Sequence, residues 1–165
     1  MVNLVALTNA MVTTFQAVPE VVALLDQGAA SVVGYIDQNP ERNSMSKAIY
    51  QMPAGSILVV WSGTTLESNA DSMLGWAHML QIYVRAKRGA SALDLINALM
   101  DGVPVPGDGM RWRYCPILDG CLPTEVRDVS RLMDTEGIDY YAATTITVET
   151  GDADPMALVS TEGES

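Results

Sequence analysis

The sequence is poor in the residues on which most protein chemistry relies. Its 165 residues hold one histidine, one phenylalanine, two cysteines and nine basic residues against 20 acidic ones. Cys115 and Cys121 are too few for a disulfide framework, and the five residues between them match no common zinc-ligand spacing. A local disulfide across the turn that they bracket and two reduced thiols both stay open. With His78 as the single histidine, any catalytic triad or His-rich metal site would have to run through it. The shortage of Lys and Arg leaves a net charge of −11. A surface of that sign repels phosphate backbones, because nucleic-acid binding rests on cations that displace condensed counterions. A DNA-gripping role is not expected, whereas a wall past which DNA slides is allowed. Long apolar runs are absent as well. The stretch Val2 to Val18 is interrupted by Asn3, Thr8, Asn9, Thr13, Thr14 and Gln16, and no other run reaches the roughly 18–20 residues of a membrane span. Its start has no basic region of the kind a signal peptide carries.

What the chain does contain is core material. It is 48% hydrophobic and 18% charged, which sets it apart from disordered sequences, and its length suits one domain with a core of its own. Leu4, Leu7, Met11 and Phe15 recur at spacings of three and four, one face of a helix within the first 27 residues. Val18-Pro19 breaks or restarts that helix, and a second short turn carries Val21, Val22, Leu24 and Leu25 as far as Gly28. A brief strand over Ser31 to Ile36 precedes the polar stretch Asp37 to Ser46, and from Tyr50 onward the period becomes that of a strand. Ser56 to Trp61 reads as a buried strand bounded by Pro53, Gly55 and Gly63. The Ser-, Thr- and Asn-rich segment Gly63 to Gly75 reads as a long functional loop that takes order from a neighbour.

Trp76 to Arg85 alternates, with Trp76, His78, Leu80, Ile82 and Val84 on one face and Met79, Gln81, Tyr83 and Arg85 on the other. Helical spacing returns over Ala90 to Met100, capped by Ser91, with Leu93, Ile96, Leu99 and Met100 apolar. A turn-dense Pro/Gly loop follows, then a strand over Arg111 to Leu118 before the turn dipeptide Asp119-Gly120. Glu125 to Met133 and Ile138 to Glu149 pair as a hairpin around Asp134-Thr135-Glu136-Gly137. The expected fold is α+β, a mainly antiparallel sheet flanked by an N-terminal helix and one further helix. A single domain should span residues 1–150. Residues 151–165, with four acids and no base, should form an acidic and flexible tail.

No constellation of nucleophile, base and oxyanion donors is legible, so the chain is not read as an enzyme, and no cofactor or metal is expected. His78 shares a strand face with Trp76 and Leu80, which suits a hydrogen-bonded histidine in the sheet. Asp134, Glu136 and Asp139 do not follow the spacing of an EF-hand loop, and turn chemistry accounts for them. No Ser stands in a nucleophile-elbow pattern, and Gly107 and Gly109 lack the Lys-Ser/Thr of a phosphate loop. The basic residues do cluster. Arg85, Lys87 and Arg88 end one strand and Arg111 and Arg113 open another, with Arg127 and Arg131 on the hairpin. On so acidic a chain these mark either solvated strand ends or contacts to an acidic protein surface. Ten methionines and three tryptophans supply core and adaptable contact surface.

Several segments, taken in order, resemble a known family. They are Val18-Pro-Glu-Val21, the Pro-introduced strand MPAGSILVVWSG (Met52 to Gly63) and the strand WAHMLQIYV (Trp76 to Val84). The helix Ala90 to Met100 and the closing R-x-x-D-x-x-G-x-x-Y hairpin of RLMDTEGIDYY (Arg131 to Tyr141) complete the series. Over residues 1–150 this resembles the tail terminator, or tail completion, proteins of long-tailed bacteriophages. The resemblance implies a structural virion protein at the neck end of the tail, assembled in the host cytoplasm. It implies a homo-hexameric ring that caps the tail tube, ends its polymerisation and presents a joining surface to the head-side connector. The sheath protein would be a further neighbour where the tail has one, and DNA would pass without specific binding. The family has no catalytic residues to transfer. Other head–tail connector or minor tail proteins, and a small enzyme built on His78 or the Asp134, Glu136 and Asp139 acids, are the competing classes.

Overall fold

The computed structural model of the chain describes residues 2–35, 44–68, 74–87, 91–100, 118, 121–133 and 140–150. Helix α1 (Leu4–Gln16) starts where Asn3 accepts hydrogen bonds from the amides of Val5 and Ala6 at 3.0 and 3.2 Å, a side-chain cap for the open first turn. Leu7, Met11 and Phe15 form its buried stripe, as their spacing requires. The helix stops at Ala17, and α2 (Pro19–Val22) restarts it with Pro19 in the first turn, where a missing amide hydrogen costs nothing. A 3-10 turn (Gly28–Ser31) then feeds β1 (Val32–Tyr35).

Five strands form one sheet in the order β1-β2-β3-β5-β4, with β2 (Ser56–Ser68), β3 (Leu74–Arg85), β4 (Cys121–Met133) and β5 (Tyr140–Thr150). The β1–β2 pair is parallel and the other three pairs are antiparallel. The fold is α+β in a single domain, with the N-terminal helix and α4 (Ala92–Met100) on one face of the sheet.

Alternation along β2 and β3 sorts the two faces. Ile57, Val59, Leu80, Ile82 and Val84 pack under α1 and α4 with Leu7, Met11, Phe15, Leu95, Ile96 and Leu99. Leu58 and Val60 face the other way, with Met52, Tyr35 and Tyr83, beneath α3 (Ser44–Tyr50). Helix α1 lies close on β1 because residue 34 is glycine. A Cβ there would stand 3.0 Å from the Thr8 methyl and 3.3 Å from a Val12 methyl, tighter than ordinary packing.

The structure corrects four expectations. Most of the segment Gly63 to Gly75 is not a loop, because β2 runs on to Ser68 and β3 begins at Leu74. Thr64 and Thr65 are polar yet β-branched, and that backbone preference extends the hairpin past the apolar run. Ser44 to Tyr50 is helix rather than polar connection and strand. The apolar positions Met45, Ala48 and Ile49 carry the helical spacing, and Ala48 and Ile49 use it to cover the second face. In α4 the buried positions are Ala92, Leu95, Ile96 and Leu99, leaving Leu93 exposed, so the helix sits one step round from the expected stripe. Ser91 does accept from the Leu93 amide, at 3.2 Å, as expected.

Strand β4 begins at Cys121, before the expected Glu125, and includes Pro123 at a register shift. Its place at the edge of the sheet tolerates a residue that cannot donate. Of the Arg111 to Leu118 strand only Leu118 is described, in an isolated bridge to Cys121. The turn Asp134 to Gly137 and the tail 151–165 lie outside the described residues.

Phe15 is the only phenylalanine and is wholly buried. Phe15→Ala is expected to cost about 3–5 kcal/mol by leaving a cavity. Leu66→Ala, at a side chain 51% exposed, should stay within about 0.5 kcal/mol. Urea denaturation midpoints of the two variants measure this contrast.

Candidate interaction surface

Of the basic positions singled out in the sequence, Arg85 and Lys87 stand at one end of the sheet, where β2 starts and β3 stops. Here the chain builds a tight joint. Gly55 has φ +70°, a conformation that residues with a Cβ rarely adopt. Its amide donates to the Arg85 carbonyl at 3.0 Å, and its own carbonyl accepts from the Asp26 amide, also at 3.0 Å. The Arg85 guanidinium, half-buried, donates from Nη1 to the Met52 carbonyl. Ser56 Oγ closes the same turn by donating to the Pro53 carbonyl at 2.5 Å. The end of β3 is thereby tied to the loop that leads into β2 and to the segment after α2.

The charged atoms at this joint differ in availability. Arg85 spends at least part of its donor fork inside the fold. Lys87 is exposed and reaches Asp26 at only 4.0 Å, with both side chains about half in solvent. Such a pair contributes little to stability and is screened by salt, so the Lys87 ammonium can be redirected to another carboxylate at small cost.

Strand register adds a third basic position. Arg85 lies opposite Tyr141 of β5, which lies opposite Leu132 of β4, and the neighbouring row runs Val84, Ala142, Arg131. Positions 46 residues apart in the chain therefore share one end of the sheet. Arg127 is further along, in the row of Thr145 and Gln81. Arg88, Arg111 and Arg113 lie outside the described residues.

Two residues of this surface escaped the sequence reading. Tyr50, 78% exposed at the end of α3, stands two residues before Met52, whose carbonyl takes the Arg85 bond, and the exposed Lys47 lies one turn earlier on the helix. The signal was present in Met45, Ala48 and Ile49, three apolar residues at helical spacing after a serine. Read as a helix, the segment turns Lys47 and Tyr50 away from the buried positions. An exposed tyrosine beside cations is a common composition for a protein contact.

His78 lies elsewhere, towards the other end of β3, with no exposed surface. Its Nδ1 is 2.9 Å from Thr64 Oγ1, and burial pushes the imidazole below its usual pKa. Among the described residues no three His, Cys, Asp or Glu side chains stand together. Asp134, Glu136, Asp139 and Cys115 lie outside them, and Cys121 is buried in the main core. No helix of the described structure is long and apolar enough to cross a membrane. Compared with known proteins, the chain matches no family model and no curated sequence.

A Cβ on Gly55 would stand 2.8 Å from Asp26 Cβ and 2.9 Å from its amide nitrogen, on a backbone already unfavourable for it. Gly55→Ala should therefore destabilise by about 1–3 kcal/mol. Lys87→Ala should change stability by less than about 0.5 kcal/mol, because it loses only a solvated pair. Thermal melting at low and physiological salt separates the joint from the surface charge.

Proposed function

We propose that the chain is the ring-forming terminator of a bacteriophage tail, a structural component of the virion at the neck end. The observation that carries this reading is one of order. Segments that resemble the terminator family are scattered along the sequence, yet they fall on adjacent strands of one sheet. Met52 to Gly63 leads into and along β2, Trp76 to Val84 makes up most of β3, and the closing hairpin joins the end of β4 to the start of β5. The helix between the second and third of these segments packs on the same core.

In this reading each copy meets its neighbours and the tail tube through the end of the sheet that holds Lys87, Arg85 and Arg131, and through Lys47 and Tyr50, exposed on α3. Copies that each carry a charge of −11 repel one another at long range. Contacts between these cations and acids across each interface offset that repulsion and set the register, each exposed pair contributing about 0.2–1 kcal/mol. The surplus carboxylates face solvent or the channel, where they leave passing DNA unbound. The head-side connector docks on the opposite face of the ring. The role requires no cofactor and no chemical step.

The test is charge reversal, read out as tail length and as attachment of tails to heads. Because Arg85 also holds the Met52 carbonyl, reversing it would disturb the joint as well as the surface. Lys87→Glu separates the two. Phage carrying Lys87→Glu are expected to produce tails of irregular length and unjoined heads, with the subunit still folded. Normal tails that join heads, from a variant shown to be incorporated, would remove the interface role of Lys87. A virion map that places the chain away from the tail–neck axis would overturn the whole reading.

A further inference from the structure

The distal half of the β2–β3 hairpin, Trp61 to Ser68 paired with Leu74 to Leu80, is held by a short chain of polar side chains. It begins at an irregularity. The ladder shifts register between Trp61 and Gly63, leaving Ser62 as the extra residue, and its Oγ donates to the Met79 carbonyl at 3.2 Å. Trp61, 39% exposed, donates its indole N–H to Thr64 Oγ1 at 3.1 Å. Thr64 Oγ1 in turn bonds His78 Nδ1 at 2.9 Å, directly across the ladder. The imidazole is fully buried, and its Nε2 has no hydrogen-bond partner among the described residues.

This arrangement tolerates a neutral ring and not a charged one. Neutral imidazole needs one donor and one acceptor, and the Thr64 hydroxyl can serve as either for Nδ1. Imidazolium donates from both nitrogens. Thr64 Oγ1 could still accept from Nδ1, but the Nε2 proton would be left with a buried positive charge and no acceptor among the described residues.

Among the described residues, no carboxylate faces the ring to compensate. On its face of the sheet stand Trp76 and Leu80 of β3 and Trp61, Thr64 and Leu66 of β2. By register, Ile146, Val148 and Thr150 of β5 occupy the flanking positions, and buried Cys121 of β4 is opposite Thr150. The nearest acids in the ladder, Glu149 opposite Ala77 and Glu67 opposite Gly75, fall on the alternate positions. Helix α4 contributes Leu95, Ile96 and Leu99 to the core under this face and keeps its one acid, Asp94, exposed. Helix α1 has no titratable side chain.

We infer that the Trp61–Thr64–His78 chain is a proton-sensitive latch: it keeps the distal half of the hairpin paired while the imidazole is neutral and releases it when the imidazole takes a proton. The direction follows from linkage. The open arm exposes a histidine that binds its proton near pH 6.5, whereas the closed arm holds the ring below that value. The closed form is at full strength above about pH 6.5 and loses strength as the pH falls through that point. The latch requires only a proton, so it operates whether the chain is free or assembled. It does not depend on the proposed role at the phage neck.

A single histidine makes the test clean, since no other side chain has an ordinary pKa between pH 5.5 and 7.5. Amide hydrogen exchange, expressed as protection factors, is compared at those two values for the wild-type chain and for His78→Gln. In the wild type, protection of peptides covering residues 61–68, which pair with β3 alone, should fall about tenfold on acidification, the ratio expected when only the open form binds the proton. Residues 56–60 and 81–85 should keep their protection, and His78→Gln should show no pH-dependent loss in the arm. Equal protection at both pH values, or the same loss in the variant, overturns the latch. If His78→Gln does not fold, the wild-type imidazole resonance decides. An ordinary titration near pH 6.5 with unchanged arm resonances overturns it, and a titration displaced to lower pH that coincides with changes in the arm supports it.

Discussion

The rest of the molecule depends on the burial of one side of β3. Its alternate residues Leu80, Ile82 and Val84 are fully removed from water, and β3 is hydrogen-bonded on both sides, to β2 and to β5. A strand in that position cannot slip by one residue without turning its whole apolar set to the other face. Its register in turn sets that of β2, where Ile57 and Val59 join the same core. It also provides the floor on which the stripes of α1 and α4 are buried. Removing a side chain of this size from water contributes about 1.5–3 kcal/mol, so this face supplies much of the energy that offsets chain entropy.

Along the same strand, function and stability separate. The end near Arg85 is a dense backbone joint, with Gly55, Met52 and Asp26 tied to the strand terminus, and the solvated charge of Lys87 is displayed from it. A rigid base with redirectable surface charge is what the proposed contacts between copies would need. Towards the end near Trp76 the side-chain hydrogen bonds of Ser62, Thr64 and buried His78 supplement the ladder. Pairing maintained by a few polar bonds responds to solution conditions, whereas pairing maintained by buried leucine and valine does not.

Much of the fold was legible because it is written in local periodicity. The two-residue alternation of Trp76 to Arg85 assigned both faces of β3 correctly. The three-and-four spacing of Leu7, Met11 and Phe15 identified the buried side of α1, and Pro19 marked where that helix restarts. Legibility failed where local composition and backbone preference diverge. Gly63 to Gly75 looked like a loop because Ser, Thr and Asn are polar. β-branched threonines nevertheless extend a hairpin readily when one partner strand is already in place. Helix α3 was missed because seven residues hold too few turns for a convincing period, and its buried face appears only when Met52, Leu58 and Val60 present a second apolar surface.

The candidate surface divides in the same way. Sequence alone determined that the chain is acidic, has scarce cations clustered near strand ends, and offers one histidine on an apolar face, because these are properties of composition and local alternation. Tertiary structure decided which cations stand together. It placed Arg131 beside the row of Arg85, engaged the Arg85 guanidinium at the Met52 carbonyl, and left Lys87 half in solvent near Asp26. It also gave His78 a threonine partner across the ladder and no acceptor for its second nitrogen among the described residues. Neighbours of this kind are contributed by other strands, at distances along the chain that no local pattern encodes. The pairing of whole strands selects them, because hydrogen-bond register and the burial of alternate side chains must be satisfied together.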